Sequence, residues 1–328
     1  MHSQDADHRA DSSPDDGDKE FLGATLGFFA FFIWGLFPLY FYYLRDVPPL
    51  VTLAFRAVFT TVLLVPIVVA RKKFPTVLRT MRNPRLDLGL FVTMATTAAS
   101  WGLFIWLVAI NRTLYASLGN YACPLVTTAL GAIIFRERPT AHEIASIALA
   151  IVAVAVFALG VGRLPWESVV VAFVFAIYSV LRKLMDVDSA TALSVETIFS
   201  LPFGIAYIAF AAIVPDNAPE WTRSARLLTL LVGGGVITAV PLLLFGAAAR
   251  MSKLSTLAVL NYLTPTGQFL CGVYFLHERT TSYQWISFGL IWCALAVFTT
   301  GLIKTEHARR RASRQAVEGE VEGEVEGA

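Results

Sequence analysis

The chain has 328 residues, 56% of them apolar and only 15% charged, with a formal net charge of +2 and a mean hydropathy of +0.63. A soluble domain carries about 25% charged residues, so the deficit excludes an ordinary water-soluble protein and points to lipid as the main solvent. The three cysteines, Cys123, Cys271 and Cys293, all lie inside apolar runs and read as small buried hydrophobes rather than a disulfide framework or a metal site.

Residues 1–20 form an acidic tail with seven Asp and Glu, a composition expected to be disordered. The tail lacks the basic start and short apolar core of a secretory signal peptide, so the first apolar run is expected to be retained as a membrane anchor. Ten apolar runs follow, at about 21–43, 50–70, 86–110, 113–135, 141–160, 166–185, 192–214, 227–249, 254–276 and 283–303, each near the roughly 20 residues that a membrane-spanning helix needs. Most connections are short, so successive helices are expected to be antiparallel neighbours. The exception in the first half is the loop 71–85, with Arg71, Lys72, Lys73, Arg79, Arg82 and Arg85. The tail from Lys304 to Ala328 is a basic stub followed by VEGEVEGEVEGA, to which neither structure nor function is assigned. With the N-terminus in the cytoplasm, 19 Lys and Arg fall on the cytoplasmic side and 6 outside, and Arg56 lies within a span. This bias places both termini in the cytoplasm.

One stretch occurs twice. Residues 120–140 read NYACPLVTTALGAIIFRERPT and residues 261–281 read NYLTPTGQFLCGVYFLHERTT. At a fixed offset of 141, seven of the 21 positions are identical, where unrelated chains share about one or two. Further matches join Leu53 to Leu193, Phe59 to Phe199, and Trp34-Gly35 to Tyr178-Ser179. Each half holds five spans, an odd number, so the second enters the membrane from the opposite side. The expected fold is an all-α membrane protein of ten transmembrane helices in two inverted five-helix repeats, 21–160 and 165–303. If each repeat adopts either of two packings, exchanging them turns an outward-open cavity into an inward-open one.

Charges inside apolar runs cost energy and mark sites. Arg56 lies in the second run and Glu196, its partner by the repeat, in the seventh. Two readings compete: a pair facing a watery cavity to bind or gate a polar solute, or side chains that snorkel or form structural ion pairs, with Arg182 and Lys183 as partners for Glu196. Asn120-Tyr121 and Asn261-Tyr262 precede Pro124 and Pro265. Each proline frees the carbonyl four residues earlier and offers a hinge; the Asn-Tyr pairs either contact substrate or bond between helices. Trp34, Tyr40, Trp101, Trp106, Tyr178 and Gln268 are further pocket candidates against a reading as packing or interfacial aromatics. Trp34 and Tyr178 stand out because they match across the repeat, and helix 1 is expected to bend near Gly35 and Pro38. Glu137-Arg138 and Glu278-Arg279 are read as structural, fixing the turns into the fifth and tenth helices. Those two helices are almost wholly apolar and serve as scaffold or as a dimer surface. The run Gly233-Gly234-Gly235 lacks the strand and Lys-Ser/Thr of a phosphate loop and is read as a site of close helix contact.

The segments WGLFPLYF at 34–41, LAFR at 53–56, ASLGNYACPLV at 116–126, LRK at 181–183, ETIFSLP at 196–202 and VPLLLFGAAAR at 240–250 resemble the RarD-type branch of the drug/metabolite transporter superfamily, with its EamA-like domains. The resemblance covers nearly all of 21–303. It implies ten helices in two inverted repeats and a central cavity lined by helices 1–4 and 6–9, with 5 and 10 peripheral. RarD-type permeases are tied by name to chloramphenicol sensitivity, and relatives export amino acids and other metabolites. The chain departs from the family pattern at Asn120 and Asn261, where the family carries an aromatic and a Gln, and at Phe55, where it carries a His.

The expected function is a secondary transporter of the cytoplasmic membrane that exports a small organic solute. The alternative is a membrane scaffold or sensor that has lost transport. No zinc spacing, nucleophile elbow or ATP-binding motif is present in the sequence, so neither an enzyme nor an ATP-driven pump is expected. No cofactor or metal is expected. The expected partners are a small-molecule substrate, the lipid bilayer and a second copy of the chain in a homodimer, with no nucleic acid.

Overall fold

The structure is a computed structural model that describes residues 14–72, 74–136, 139–185, 187, 189–213, 219–301 and 303–304. Among these residues every regular element is a helix. Eight helices are long and apolar enough to cross a membrane. Large apolar side chains stand exposed along them, among them Ile144, Ile151 and Leu159 on one helix and Phe203, Ile205 and Phe210 on another. Exposed apolar surface on this scale is expected of a lipid-facing wall, and the protein is a multi-pass membrane protein.

The chain divides into two compact units, Met1–Thr113 with Met185–Leu276, and Leu114–Leu184 with His277–Ala328. In the first unit, α1 (Pro14–Gly35) and α2 (Phe37–Tyr42) make up the first run. The helix thus starts inside the acidic stretch expected to be disordered, and residues 1–13 lie outside the described residues. It breaks at Leu36, as expected, because Pro38 has no N–H to donate to the Trp34 carbonyl; the chain recovers through Leu39 N–H to Leu36 O, 3.0 Å. Next come α3 (Pro49–Ala70), which opens on a proline, α4 (Phe74–Met81) and α5 (Pro84–Ala109). The basic 71–85 stretch is therefore not simply a loop. Phe74, Val77, Leu78 and Met81 give α4 an apolar stripe, and Val77 is buried in a cluster with Leu90, Ala192 and Val195.

Helices α9 (Ser189–Ile213), α10 (Glu220–Arg223), α11 (Ala225–Met251), α12 (Leu254–Leu260) and α13 (Leu263–Leu270) complete the unit, followed by a π-helical turn, Cys271–Phe275. The ninth apolar run is thus two short helices rather than one. α3 packs against α5, α9 and α11, and α1 against α11 and α13. The glycine run of α11 permits this approach. A Cβ on Gly235 would fall 2.5 Å from Phe59 Cβ and 2.6 Å from its carbonyl carbon. Gly35 and Gly267 do the same between α1 and α13, where a Cβ on Gly267 would sit 2.7 Å from Gly35 Cα.

The second unit holds α6 (Thr113–Ile134), α7 (Ala141–Val161), α8 (Trp166–Leu184) and α14 (Ser282–Gly301). α8 carries three charges near its ends, Glu167, Arg182 and Lys183. Gly119 of α6 lies against α8, with the Ser168 carbonyl oxygen 2.6 Å from where its Cβ would be. Ser168 Oγ donates to Tyr115 O at 2.8 Å, and Ser287 Oγ of α14 donates to Ala153 O of α7 at 2.7 Å. The turns into α7 and α14 carry capping boxes. Thr140 pairs reciprocally with Glu143, and Thr281 with Gln284. Glu278 also caps a different helix: its Oε2 accepts the Leu114 N–H at the start of α6, 3.1 Å. Glu137 and Arg138 lie outside the described residues. Cys293 is exposed on α14, unlike buried Cys123 and Cys271.

Candidate functional site

In the first unit, α3 and α9 cross in antiparallel register. Thr61 Oγ1 donates to Thr197 O at 3.0 Å, and seven residues away Gly204 meets Ala54, whose carbonyl oxygen would be 3.2 Å from a Gly204 Cβ. In that register Phe59 stands level with Phe199. Arg56 and Glu196 stand three residues to either side, about 4.5 Å each along the helix axes. Both are buried, at 8% and 4% exposure. Glu196 Oε1 accepts a 2.7 Å hydrogen bond from Thr93 Oγ1 of α5. Of the two expected cationic partners, Arg182 and Lys183, the second holds its ammonium 4.4 Å over the ring of Phe135 within its own unit.

Arg56 holds its guanidinium carbon 4.3 Å over the ring of Trp101 on α5, a cation–π contact. Its Nε is buried and has no hydrogen-bond partner. Thr52 and Thr60, one turn before and after, are also buried, and their hydroxyls also lack partners. Spaced four residues apart, the three lie on one face of α3. Thr97, one turn before Trp101 on α5, has a third unpartnered hydroxyl. Trp101 packs on Phe37 and Phe104 at 5.6 and 5.7 Å. The Tyr40 hydroxyl donates to Leu230 O on α11. Toward the start of α11, Tyr43, Ala225, Arg226, Thr229 and Leu230 line a shallow depression of about 490 Å³.

The two copies of the repeated motif take different conformations. Asn120 and Tyr121 lie within continuous α6 despite Pro124. Tyr121 is 1% exposed, and its hydroxyl accepts from Trp292 Nε1 of α14 at 2.9 Å, so it is a packing residue in this conformation. Asn261 and Tyr262 form the turn between α12 and α13, and Asn261 is exposed. The Asn261 carbonyl that Pro265 leaves without its usual donor is taken by Thr264 N–H at 3.2 Å. Gln268 of α13 is buried. Trp34 packs on Phe31 and Phe245 with its Nε1 buried and unpartnered. Tyr178 lies in α8 beside Phe175, 5.7 Å between rings. The first unit holds Trp34, Pro38, Arg56, Glu196, Asn261, Tyr262, Pro265 and Gln268, and the second holds Asn120, Tyr121, Pro124 and Tyr178.

The EamA-like transporter family model matches residues 21–159 and again 168–300. The chain belongs to the EamA-like transporter family. Among EamA-like relatives, an uncharacterized transporter of Vibrio cholerae is 35% identical over 300 residues, 92% of this chain and 99% of its own. Protein RarD of Streptomyces exfoliatus is 34% identical over 289 residues, 88% and 91% respectively. A protein of known crystal structure, 18% identical, shares the fold with a TM-score of 0.55 over 84% of this EamA-like chain and 96% of its own. No group of three or more His, Cys, Asp and Glu that could hold a metal occurs among the described residues.

Proposed function

We propose that the protein is a secondary transporter of the cytoplasmic membrane that exports a small organic metabolite or drug. Two inverted five-helix repeats, 21–160 and 165–303, would exchange packings around Arg56, Glu196 and the two Asn-Tyr pairs, with both termini in the cytoplasm. The observation that carries this is the repeated motif itself. One sequence pattern, Asn-Tyr-x-x-Pro, is a straight helix in α6 and a broken one across α12 and α13. Alternating access requires such a pair, equivalent elements held in two different states. Helix pairing supports it. α1 packs on α13 in one unit and α8 on α6 in the other, the partners that the repeat exchanges. So does the antiparallel packing of α3 and α9, which puts Arg56 and Glu196 three residues to either side of the Phe59–Phe199 level.

The test is uptake of labelled metabolites and drugs into proteoliposomes, with and without a pH gradient. Flux of at least one solute is expected, with Arg56→Ala lowering flux per molecule by tenfold or more. Folded protein that moves nothing across a broad panel would instead support a scaffold or sensor.

A further inference from the structure

Four charged side chains are buried among the described residues: Arg56, Glu167, Glu196 and Glu278. Three have partners of matching chemistry. Glu167 accepts from Arg163 Nη1 and Nη2 at 3.0 and 2.5 Å, and this bond raises the Arg163 pKa above its ordinary value. Glu196 accepts from Thr93, and Glu278 from the Leu114 N–H. Arg56 has only the face of Trp101. A ring face engages the flat side of a guanidinium and leaves its in-plane N–H groups unused. A charged group costs about 2.5–3.5 kcal/mol at the centre of a bilayer on the insertion scale, and nothing in the first unit neutralises this one.

The neighbouring hydroxyls point the same way. Threonine in a helix commonly back-bonds to a carbonyl three or four residues earlier, and Thr61, Thr128, Thr197 and Thr238 do so here. Thr52 and Thr60 do not, although both are buried. Thr52, Arg56 and Thr60 form a stripe of unused donors about 12 Å long, and Thr97 adds another from α5 beside Trp101. Donors without a carboxylate among them suit an anion. A planar fork suits the two oxygens of a carboxylate in particular. The rings of Trp101, Phe37 and Phe104 beside it suit an apolar or aromatic body.

We propose that Arg56 is the anion-recognition residue of the transport site, and that the solute is an organic carboxylate with an apolar or aromatic body. The carboxylate pairs with the guanidinium and takes hydrogen bonds from Thr60 and Thr97, and the body lies along the aromatic rings. This rests on the transporter reading for its place in a cycle, but binding can be measured without flux.

The probes are benzoate, phenylacetate and 3-phenylpropionate, each against its neutral amide, with inorganic phosphate as an anion that has no apolar body. Thermal stabilisation and equilibrium binding are measured on the full-length protein in detergent or nanodiscs. At least one acid is expected to bind at least tenfold more tightly than its amide and than phosphate. Arg56→Gln is expected to erase the preference for acid over amide, and Arg56→Lys, which keeps the charge but not the fork, to retain part of it. Thr60→Val is expected to weaken the acid several-fold and leave the amide unchanged. Acids that bind no better than amides overturn the proposal, as does a preference that survives in Arg56→Gln or phosphate that binds as tightly as the acids. If Arg56→Gln does not fold, the wild-type comparison and Arg56→Lys still decide. Charge-selective binding without flux removes the transporter reading and leaves the anion site; flux indifferent to charge does the reverse.

Discussion

Thr93 holds Glu196 from a neighbouring helix, and the bond is worth more than its length suggests. A carboxylate that loses a hydrogen-bond donor in a buried setting keeps its desolvation cost. Thr93→Val is close in volume but has no hydroxyl, so it should destabilise the protein by about 1 kcal/mol or more. Thr93→Ser should preserve the bond and most of the stability. Thermal unfolding in detergent reads both; equal melting temperatures for Thr93→Val and wild type would show that the bond contributes nothing. Arg56 and Glu196 were legible as candidates because a charge in an apolar run is conspicuous. Their partners were not. Trp101 is 45 positions from Arg56 and Thr93 is 103 from Glu196, and no local pattern joins them. The capping boxes have a local sequence signal, which the reading of the acid-base pairs passed over. Thr140-x-x-Glu143 and Thr281-x-x-Gln284 account for the duplicated threonine, while the more conspicuous Glu278 turned out to cap α6.

At the scale of elements, apolar length located the helices well, because burial in lipid needs little beyond it. It did not distinguish α6 from the α12–α13 break, because both contain the same Asn-Tyr-x-x-Pro pattern. Packing decides between them. Tyr121 is held by Trp292 and Phe288 of α14, which favours a straight α6. In the other copy, Gly267 lets α1 come close just after the turn. Glycine contacts are therefore testable as determinants of helix spacing. Gly235→Ala drives a methyl into the backbone of Phe59 and Thr60 and should cost about 1–3 kcal/mol as overpacking. Gly246→Ala, on the same helix with open space around it, should be neutral or stabilising through helix propensity, by up to about 1 kcal/mol. Melting temperatures that fall equally in both variants would show that the effect is not one of helix approach.

At the scale of the molecule, the claim with most consequences is that the two repeats are inserted in opposite senses. The Lys and Arg bias and the odd number of runs per repeat both lead there, and both are sequence arguments. The structure provides positions for a direct test. Asn111 follows α5 and Lys253 follows α11; both are exposed, and the offset of 141 brings them within one residue of equivalence. In a variant with Cys123, Cys271 and Cys293 replaced by Ala, single cysteines at these two positions should report opposite faces. A membrane-impermeant thiol reagent added to intact cells should label Asn111→Cys and spare Lys253→Cys, which should label only after permeabilisation. The reasoning is geometric. If two homologous bundles share one orientation, equivalent loops share one side, and no exchange of their packings could move a cavity from one face to the other. Labelling of both cysteines from outside would therefore remove the inverted repeat, and with it the alternating-access mechanism. Opposite labelling would leave Arg56 about one turn outward and Glu196 about one turn inward of the Phe59–Phe199 level. Those are the places where a solute entering from either face would first meet a buried charge.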